Sequence, residues 1–178
     1  MTARTNTGSS GVYEELTASF FQTGRTEIII DCSAQDVWSV LTDLNYPNMK
    51  SWNPDVVTVK HISGEFGREN EFVLVTKTGQ SPFFMRTIRI VPYQQRVLRI
   101  DAVDRSAFAF VDHSLYGLEG GKTRVVYNGY IETCGVLAEQ VKMFDFNKAA
   151  EGLMNYLNHI HKLLKDVVEE KSSANAAR

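Results

Sequence analysis

The chain has 178 residues, 43% hydrophobic and 22% charged, with a formal net charge of −2; this length and composition suit one globular domain and exclude disorder across the middle of the chain. With 19 Lys and Arg against 21 Asp and Glu there is no basic surplus for a phosphate backbone, so nucleic acid is not an expected partner. No segment approaches the roughly 18 apolar residues of a membrane span, residues 1–11 lack an apolar leader core, and Cys32 and Cys134 are too few for a disulfide framework or a zinc knuckle, so a soluble cytoplasmic protein without metal is expected.

Residues 1–11 and 171–178 are small or polar and read as flexible ends around a domain at residues 12–170. Leu16, Phe20 and Phe21 are spaced for a short helix over residues 13–21, and the β-branched run of residues 26–31 predicts the first strand. Ser33, with Asp36 three residues on, predicts a helix start, and Val37, Trp38, Val40, Leu41 and Leu44 supply its apolar face. Pro47 and Pro54 confine the next element to a second short helix, because proline cannot continue one. Turn signals then recur every 8–12 residues. They divide residues 56–133 into strands at about 56–62, 71–78, 83–91, 96–103, 108–118 and 123–133, with Gly120-Gly121 as the clearest hairpin. After Gly135 the apolar period becomes helical, from Leu137 through Leu153, Leu157, Ile160 and Leu164 to Val168, with a possible break near residues 145–147.

This order predicts an α+β helix-grip fold, a curved antiparallel sheet of seven strands around a long C-terminal helix, with two short helices after the first strand. One helix cannot fill a strongly curved sheet, so a cavity is expected, and formed cavities bind ligands. Cys32 and Cys134 follow the ends of the first and last strands; if those strands pair antiparallel, the two thiols lie at opposite edges and cannot bond.

Residues 28–59 resemble the opening of the polyketide cyclase/dehydrase and lipid-transport superfamily (START-like, SRPBCC). The resemblance lies in the apolar strand, Ser33-Ala34-Gln35-Asp36-Val37-Trp38, Asp43 with Tyr46-Pro47, and Trp52-Asn53-Pro54 leading into Val56-Val57-Thr58-Val59. Leu118-Glu119-Gly120-Gly121-Lys122-Thr123-Arg124-Val125 is similar to its glycine-rich hairpin, and residues 149–164 are similar to its terminal helix. The resemblance implies the same fold and a small hydrophobic molecule held between helix and sheet; separately, a monomer or homodimer without a cofactor is expected. The resemblance delivers no reaction, because the scaffold hosts carriers, receptors and enzymes alike.

Strand alternation sorts the residues that could carry chemistry, since only one face looks into the cavity. On residues 108–118, Phe108, Phe110, Asp112, Ser114, Tyr116 and Leu118 form one set and Ala109, Val111, His113, Leu115 and Gly117 the other. Both sets are largely apolar, so either Asp112 or His113 points inward, where burial would move its pKa toward a general-base range; the other would be solvent-facing or structural. Arg86, among Phe84, Ile88 and Ile90, and Arg99 could hold a ligand oxygen, or could form exposed cross-strand ion pairs with Glu71 or Asp101. Tyr127 is the expected pocket phenol. Trp52 and Asn53 belong to the loop that resembles the family's pocket entrance, and Phe144 and Met154 lie on the helix that covers the cavity. His159 and His161 lie about 200° apart around that helix, cannot share a metal, and are expected to be exposed or capping.

The candidate catalytic set is therefore Asp112, His113, Arg86 and Tyr127, and the candidate ligand contacts are Trp52, Asn53, Phe84, Arg99, Phe108, Phe110, Tyr116, Phe144 and Met154. The leading expectation is a cofactor-independent cyclase or dehydratase acting on a hydrophobic oxygenated molecule. The alternatives are a non-catalytic carrier or sensor of a lipid or aromatic ligand and an accessory protein with a client. Two or more ionisable side chains converging in the cavity favour the enzyme, and a uniformly apolar wall with one polar anchor favours the carrier.

Overall fold

The computed structural model describes residues 18–64, 70–77, 83–102, 107–134 and 146–176. In chain order they form strand β1 (Ala18–Ile30), helices α1 (Ala34–Thr42) and α2 (Tyr46–Trp52), strands β2 (Val56–Gly64), β3 (Asn70–Thr76), β4 (Phe83–Val91), β5 (Gln95–Ala102), β6 (Ala107–Leu118) and β7 (Lys122–Cys134), and helix α3 (Phe146–Ala176). The strands make one antiparallel seven-stranded sheet ordered β1-β7-β6-β5-β4-β3-β2. It is curved around the terminal helix in a helix-grip architecture, as the pattern of elements predicts.

Local chemistry sets the element boundaries. The Asp36 amide donates to Ser33 Oγ at 3.2 Å, and that hydroxyl donates to the Asp36 carboxylate at 2.6 Å, which caps α1. Asn48 donates from Nδ2 to the carbonyls of Val40 and Asp43 and so ties α2 to the end of α1. Gly120 and Gly121, at φ 74° and 73°, take the left-handed conformations that the β6–β7 turn requires. Register shifts in β1 at Gln22/Gly24 and in β4 at Thr87/Arg89 mark bulges, which bend strands.

Two expectations about the ends are corrected. Residues 18–21 belong to β1 and not to a short helix, because β7 is long enough to pair with them, from Ala18 opposite Cys134 onward. A full ladder of backbone hydrogen bonds there outweighs the helical spacing of Phe20 and Phe21. The C-terminal helix runs to Ala176 and does not end at Glu170; Lys171 Nζ donates to Asn48 Oδ1 at 2.6 Å, which docks this stretch on α2. Residues 1–11, and the expected helix start between 137 and 145, lie outside the described residues.

Helix α3 lies against β1, α1 and α2. Lys165 donates to the Ile29 carbonyl at 3.0 Å and pairs with Glu169, and Glu169 accepts from the Asp31 amide at 2.8 Å, so the helix is pinned to the end of β1. Leu164 and Val168 of this helix pack with Ile30, Val37, Leu41 and Val125 in the deeply buried core. Cys32 is buried at the Thr123 end of β7, where its carbonyl accepts from the Thr123 hydroxyl at 2.8 Å. Cys134 lies at the other end of β7, about 40 Å along the strand.

Ile30 is fully buried in this core and lines no cavity between the sheet and α3. Ile30→Ala is expected to cost about 2–5 kcal/mol, read as a lower urea midpoint with an unchanged slope. An unchanged midpoint would remove the β1–α3 contact from the core.

Candidate functional site

Between the sheet and α3 lies a cavity of about 390 Å³. Its wall is built by alternation: Phe72 and Leu74 on β3, Phe83 and Met85 on β4, Arg96, Leu98 and Ile100 on β5, and Val111 and His113 on β6 each sit two residues apart and share the inner face. Leu41, Leu44, Met49 and Trp52 close one end from α1 and α2, and Leu157, Ile160 and Leu164 form the roof on α3. The wall is mostly apolar.

Besides Asn53, Thr76, Tyr130 and Tyr156, the polar lining residues Arg96, His113 and Tyr127 form a row across the sheet that Thr26 extends. Arg96 on β5 stands opposite His113 on β6, His113 opposite Tyr127 on β7, and Tyr127 opposite Thr26 on β1. Directly opposed residues on neighbouring strands lie side by side on one face, so four inner-face positions make one transverse rung. Helix α3 completes it with His161, whose Nδ1 is hydrogen-bonded to the Thr26 hydroxyl at 2.7 Å. The rings of His113 and Tyr127 lie 5.3 Å apart, those of Tyr127 and His161 5.5 Å, and those of His113 and His161 6.2 Å, all edge to face.

Burial decides the protonation states along the rung. It pulls His161 down to about 4. His113 is driven well below the ordinary imidazole value by burial first, then by the charges of His161 and Arg96. Both rings are therefore neutral at pH 7, and His113 Nδ1 has no hydrogen-bond partner among the described residues. Burial pushes the Tyr127 phenol up to about 12, which keeps it protonated and able to donate. Arg96 is only 3% exposed. Its Nη1 donates at 2.8 Å to the carbonyl of Leu41 in the last turn of α1, while its Nη2 is buried without a partner among the described residues. Burial lowers its pKa to about 10, so the guanidinium stays charged at neutral pH.

Several sequence-predicted site residues lie elsewhere. Asp112 is on the outer face of β6, where its carboxylate accepts from Gln95 and Ser114. Arg86 is on the outer face of β4, ion-paired to Glu71 at 2.6 Å, and Arg99 is on the outer face of β5, bound to Asp101 and lying 4.8 Å from the Phe108 ring. Phe84 and Tyr116 are exposed, at 45% and 47%, and Tyr116 carries Arg124 on its ring. One cause accounts for all of these: alternation puts these positions on the convex face when Met85, Leu98 and His113 point inward. Phe108 and Phe110 belong to the outer set and pack edge to face; Phe110 also lines the cavity, whereas Phe108, expected as a ligand contact, does not and lies against Arg99 instead. Met154 lies over Gly24 of β1, where a Cβ would collide with its sulfur, and is not in the cavity wall. Phe144 lies outside the described residues.

His113, Tyr127, Trp52 and Asn53 do line the cavity. Trp52 is buried with Nε1 unpartnered among the described residues, and Asn53 Oδ1 accepts from the Tyr156 hydroxyl at 3.2 Å, which joins the α2 end to α3. His159 is exposed as expected, but His161 is not: it lies four residues after Leu157 and three before Leu164, on the buried stripe of α3. Sequence reasoning also missed Arg96. Leu98 and Ile100 share its face, whereas Arg99 and Asp101 share the other, and that contrast was the available signal.

Sheet, helix and the cavity between them define a helix-grip ligand-binding protein. The chain belongs to the polyketide cyclase/dehydrase and lipid transport family, whose model matches residues 22–158. No curated protein matches it in sequence. Among solved structures, norcoclaurine synthase from Thalictrum flavum, in complex with dopamine and hydroxybenzaldehyde, is similar with a TM-score of 0.61 at 12% identity, over 95% of this chain and 98% of that one. The di-domain ARO/CYC protein StfQ of the steffimycin biosynthetic pathway is similar with a TM-score of 0.66 at 11% identity, over 88% of this chain and 52% of that one. Mll3558 from Rhizobium loti has a TM-score of 0.56 at 17% identity, over 84% and 99%. At such identities the likeness is one of fold.

The rung predicts an acid-labile protein. The folded-state pKa of His161, about 4, lies below its ordinary 6.5, so the unfolded chain binds the extra proton. Stability is then complete above about pH 6.5 and falls as the pH drops toward 4. His161 alone is expected to cost about 2–3 kcal/mol between pH 7.5 and 4.5. His161→Asn, which cannot titrate, should lose clearly less over that interval in urea titrations; an equal loss would refute the assignment.

Proposed function

We propose that the protein is a cofactor-independent enzyme of the cyclase/dehydratase type, acting on a hydrophobic oxygenated molecule held in the cavity. The observation that carries this reading is the convergence of His113 and Tyr127 on the sheet with His161 on α3 at one side of a mostly apolar space, with an unpartnered imidazole nitrogen on His113 among the described residues. A neutral imidazole can take a proton from carbon next to a carbonyl. The enolate that forms beside it would raise the ring's basicity, as any adjacent negative charge does. Tyr127 can donate to that enolate oxygen, and the cation of Arg96 favours charge building up there. Attack of the enolate carbon on a second carbonyl closes a ring as an alkoxide, and return of the proton from the imidazolium gives the hydroxyl of an isomer; a second proton, taken by the imidazole from the same α-carbon and delivered to that hydroxyl, expels it as water and leaves a carbon–carbon double bond. Neither step changes the oxidation level of the whole, and the apolar wall would fold the chain for closure.

The apolar character of the rest of the wall equally suits a carrier that binds the same molecule and releases it unchanged. Native mass spectrometry of the protein incubated with extract of its source cells separates the two. Conversion of a bound compound to an isomer, or to a product 18 Da lighter by loss of water, is the expected result. His113→Ala should lower that conversion at least about 100-fold, and Tyr127→Phe should lower it less. Asp112→Asn and Arg86→Ala, on the convex face, should convert normally. Binding with intact release by wild type and every variant would make the protein a carrier.

A further inference from the structure

The unpaired charge of Arg96 says more about the ligand than the shape of the cavity does. A guanidinium 3% exposed to solvent has lost most of its hydration and needs negative charge or acceptors in return. One half of its fork is satisfied, because Nη1 donates to the carbonyl of Leu41, where the α1 C-terminus also offers a partial negative charge. The other half, Nη2, is buried with no acceptor among the described residues. No aspartate or glutamate is among the described residues that line the cavity. Trp52 Nε1 is a second buried nitrogen without a partner among those residues, and like Arg96 it can only donate. Opposite Arg96 in register, His113 is neutral and adds no competing negative charge.

We propose that the ligand is an apolar molecule of aromatic size carrying a single oxyanion, a carboxylate or a 1,3-dicarbonyl enolate, seated on the free Nη2 of Arg96. The inference rests on the reading of this cavity as a ligand site and adds the charge of what enters it. One cation supports one negative charge, and a second would be buried unpaired. An amine is disfavoured, since it would meet Arg96 and find no carboxylate among the described lining residues. That separates this cavity from a site that takes an aminoethyl group such as dopamine's.

The test uses the full chain and three probes of one shape at pH 7.5: 2-naphthoate, 2-naphthamide and 2-naphthylmethylamine, titrated calorimetrically. Naphthoate is expected to bind at least about tenfold more tightly than the amide, with the amine weakest. In Arg96→Met that preference should vanish, and in Arg96→Lys part of it should remain. Benzoylacetone, whose enolate absorbs to the red of its enol, distinguishes the two sources of charge. An enolate band that appears with wild type and is absent with Arg96→Met supports the enolate form, and naphthoate selectivity without that band supports the carboxylate form.

The comparison of probes on wild type decides the question even if Arg96→Met, which also loses the α1 contact, fails to fold. Equal binding of amide and naphthoate, with no enolate band, would overturn the anion and leave the cavity as a ligand site. A naphthoate preference that survives in a natively folded Arg96→Met would overturn the role of Arg96. Failure of every probe to bind would overturn both the inference and the ligand-site reading beneath it.

Discussion

A sheet of seven strands is about 29 Å across, and a helix with its side chains covers about 10 Å of it. Helix α3 is the longest helix in the described structure, and it is spent on one side: pinned by Lys165 and Glu169 to the end of β1 and by Lys171 to α2. Among the described residues, the inner faces of β3, β4 and β5 then meet Leu41, Leu44, Met49 and Trp52 of α1 and α2 and Leu157, Ile160 and Leu164 of α3 across the cavity. Phe72, Leu74, Met85 and Leu98 are buried there, yet they border unfilled space, which in a core would ordinarily be a defect. Here the shortfall is walled by sheet and helices, and that space is the site. The cavity thus follows from a mismatch of areas, and the two short helices matter because they close its end.

The same geometry makes the polar rung costly. Thr26, Arg96, His113, Tyr127 and His161 sit where the core is otherwise apolar, and each has to be satisfied or neutralised. Thr26 and His161 satisfy each other, the imidazoles give up their charge, and Tyr127 keeps its proton. Arg96 cannot neutralise at physiological pH and finds only the Leu41 carbonyl among the described residues. A core selected for stability alone would fill such positions with leucine or valine at lower cost. Unlike Asn70, Thr87 and Thr123, whose buried polar groups are hydrogen-bonded, Arg96 and His113 each keep a buried nitrogen unpartnered among the described residues, and stability does not explain these two neighbours.

The elements were legible in the sequence because strand and helix periods are local. Alternation, turn residues and the Ser33 cap placed β2 to β7 and α1 to within a residue or two at most boundaries. The match of β1 to β7 was not legible at its far end, since the extra pairs beyond Gln22 depend on a strand more than a hundred residues away. The choice of face was harder. Strand β6 has Phe108, Phe110 and Tyr116 on its convex side and Val111 and Leu115 inside, so hydrophobicity points both ways, and Asp112 competed evenly with His113 until the neighbouring strands fixed the answer. Arg86 and Arg99 drew attention because aromatic and aliphatic residues surround them in sequence. In space each finds an acid on the convex face, Glu71 directly opposite Arg86 on the neighbouring strand and Asp101 on the same strand as Arg99.

Scaffold and chemistry are separable in this fold. The rung lies at register-paired positions of four adjacent strands, so a change at Arg96, His113 or Tyr127 alters the polarity of the cavity without altering the strand pairing that builds it. Backbone hydrogen bonds hold the register, and the side chains that point inward are free to differ. Proteins with the same sheet and helix at 11–17% identity can then bind unlike molecules, because fold likeness transmits the cavity and not its lining. For this chain the lining carries one buried cation, two neutral imidazoles and a phenol in a row, and a ligand's oxygen placed anywhere along that row would lie beside a group able to hold a charge or move a proton. A molecule with its oxygens at one end and an apolar body at the other matches that division of the wall, whether it leaves the cavity changed or unchanged.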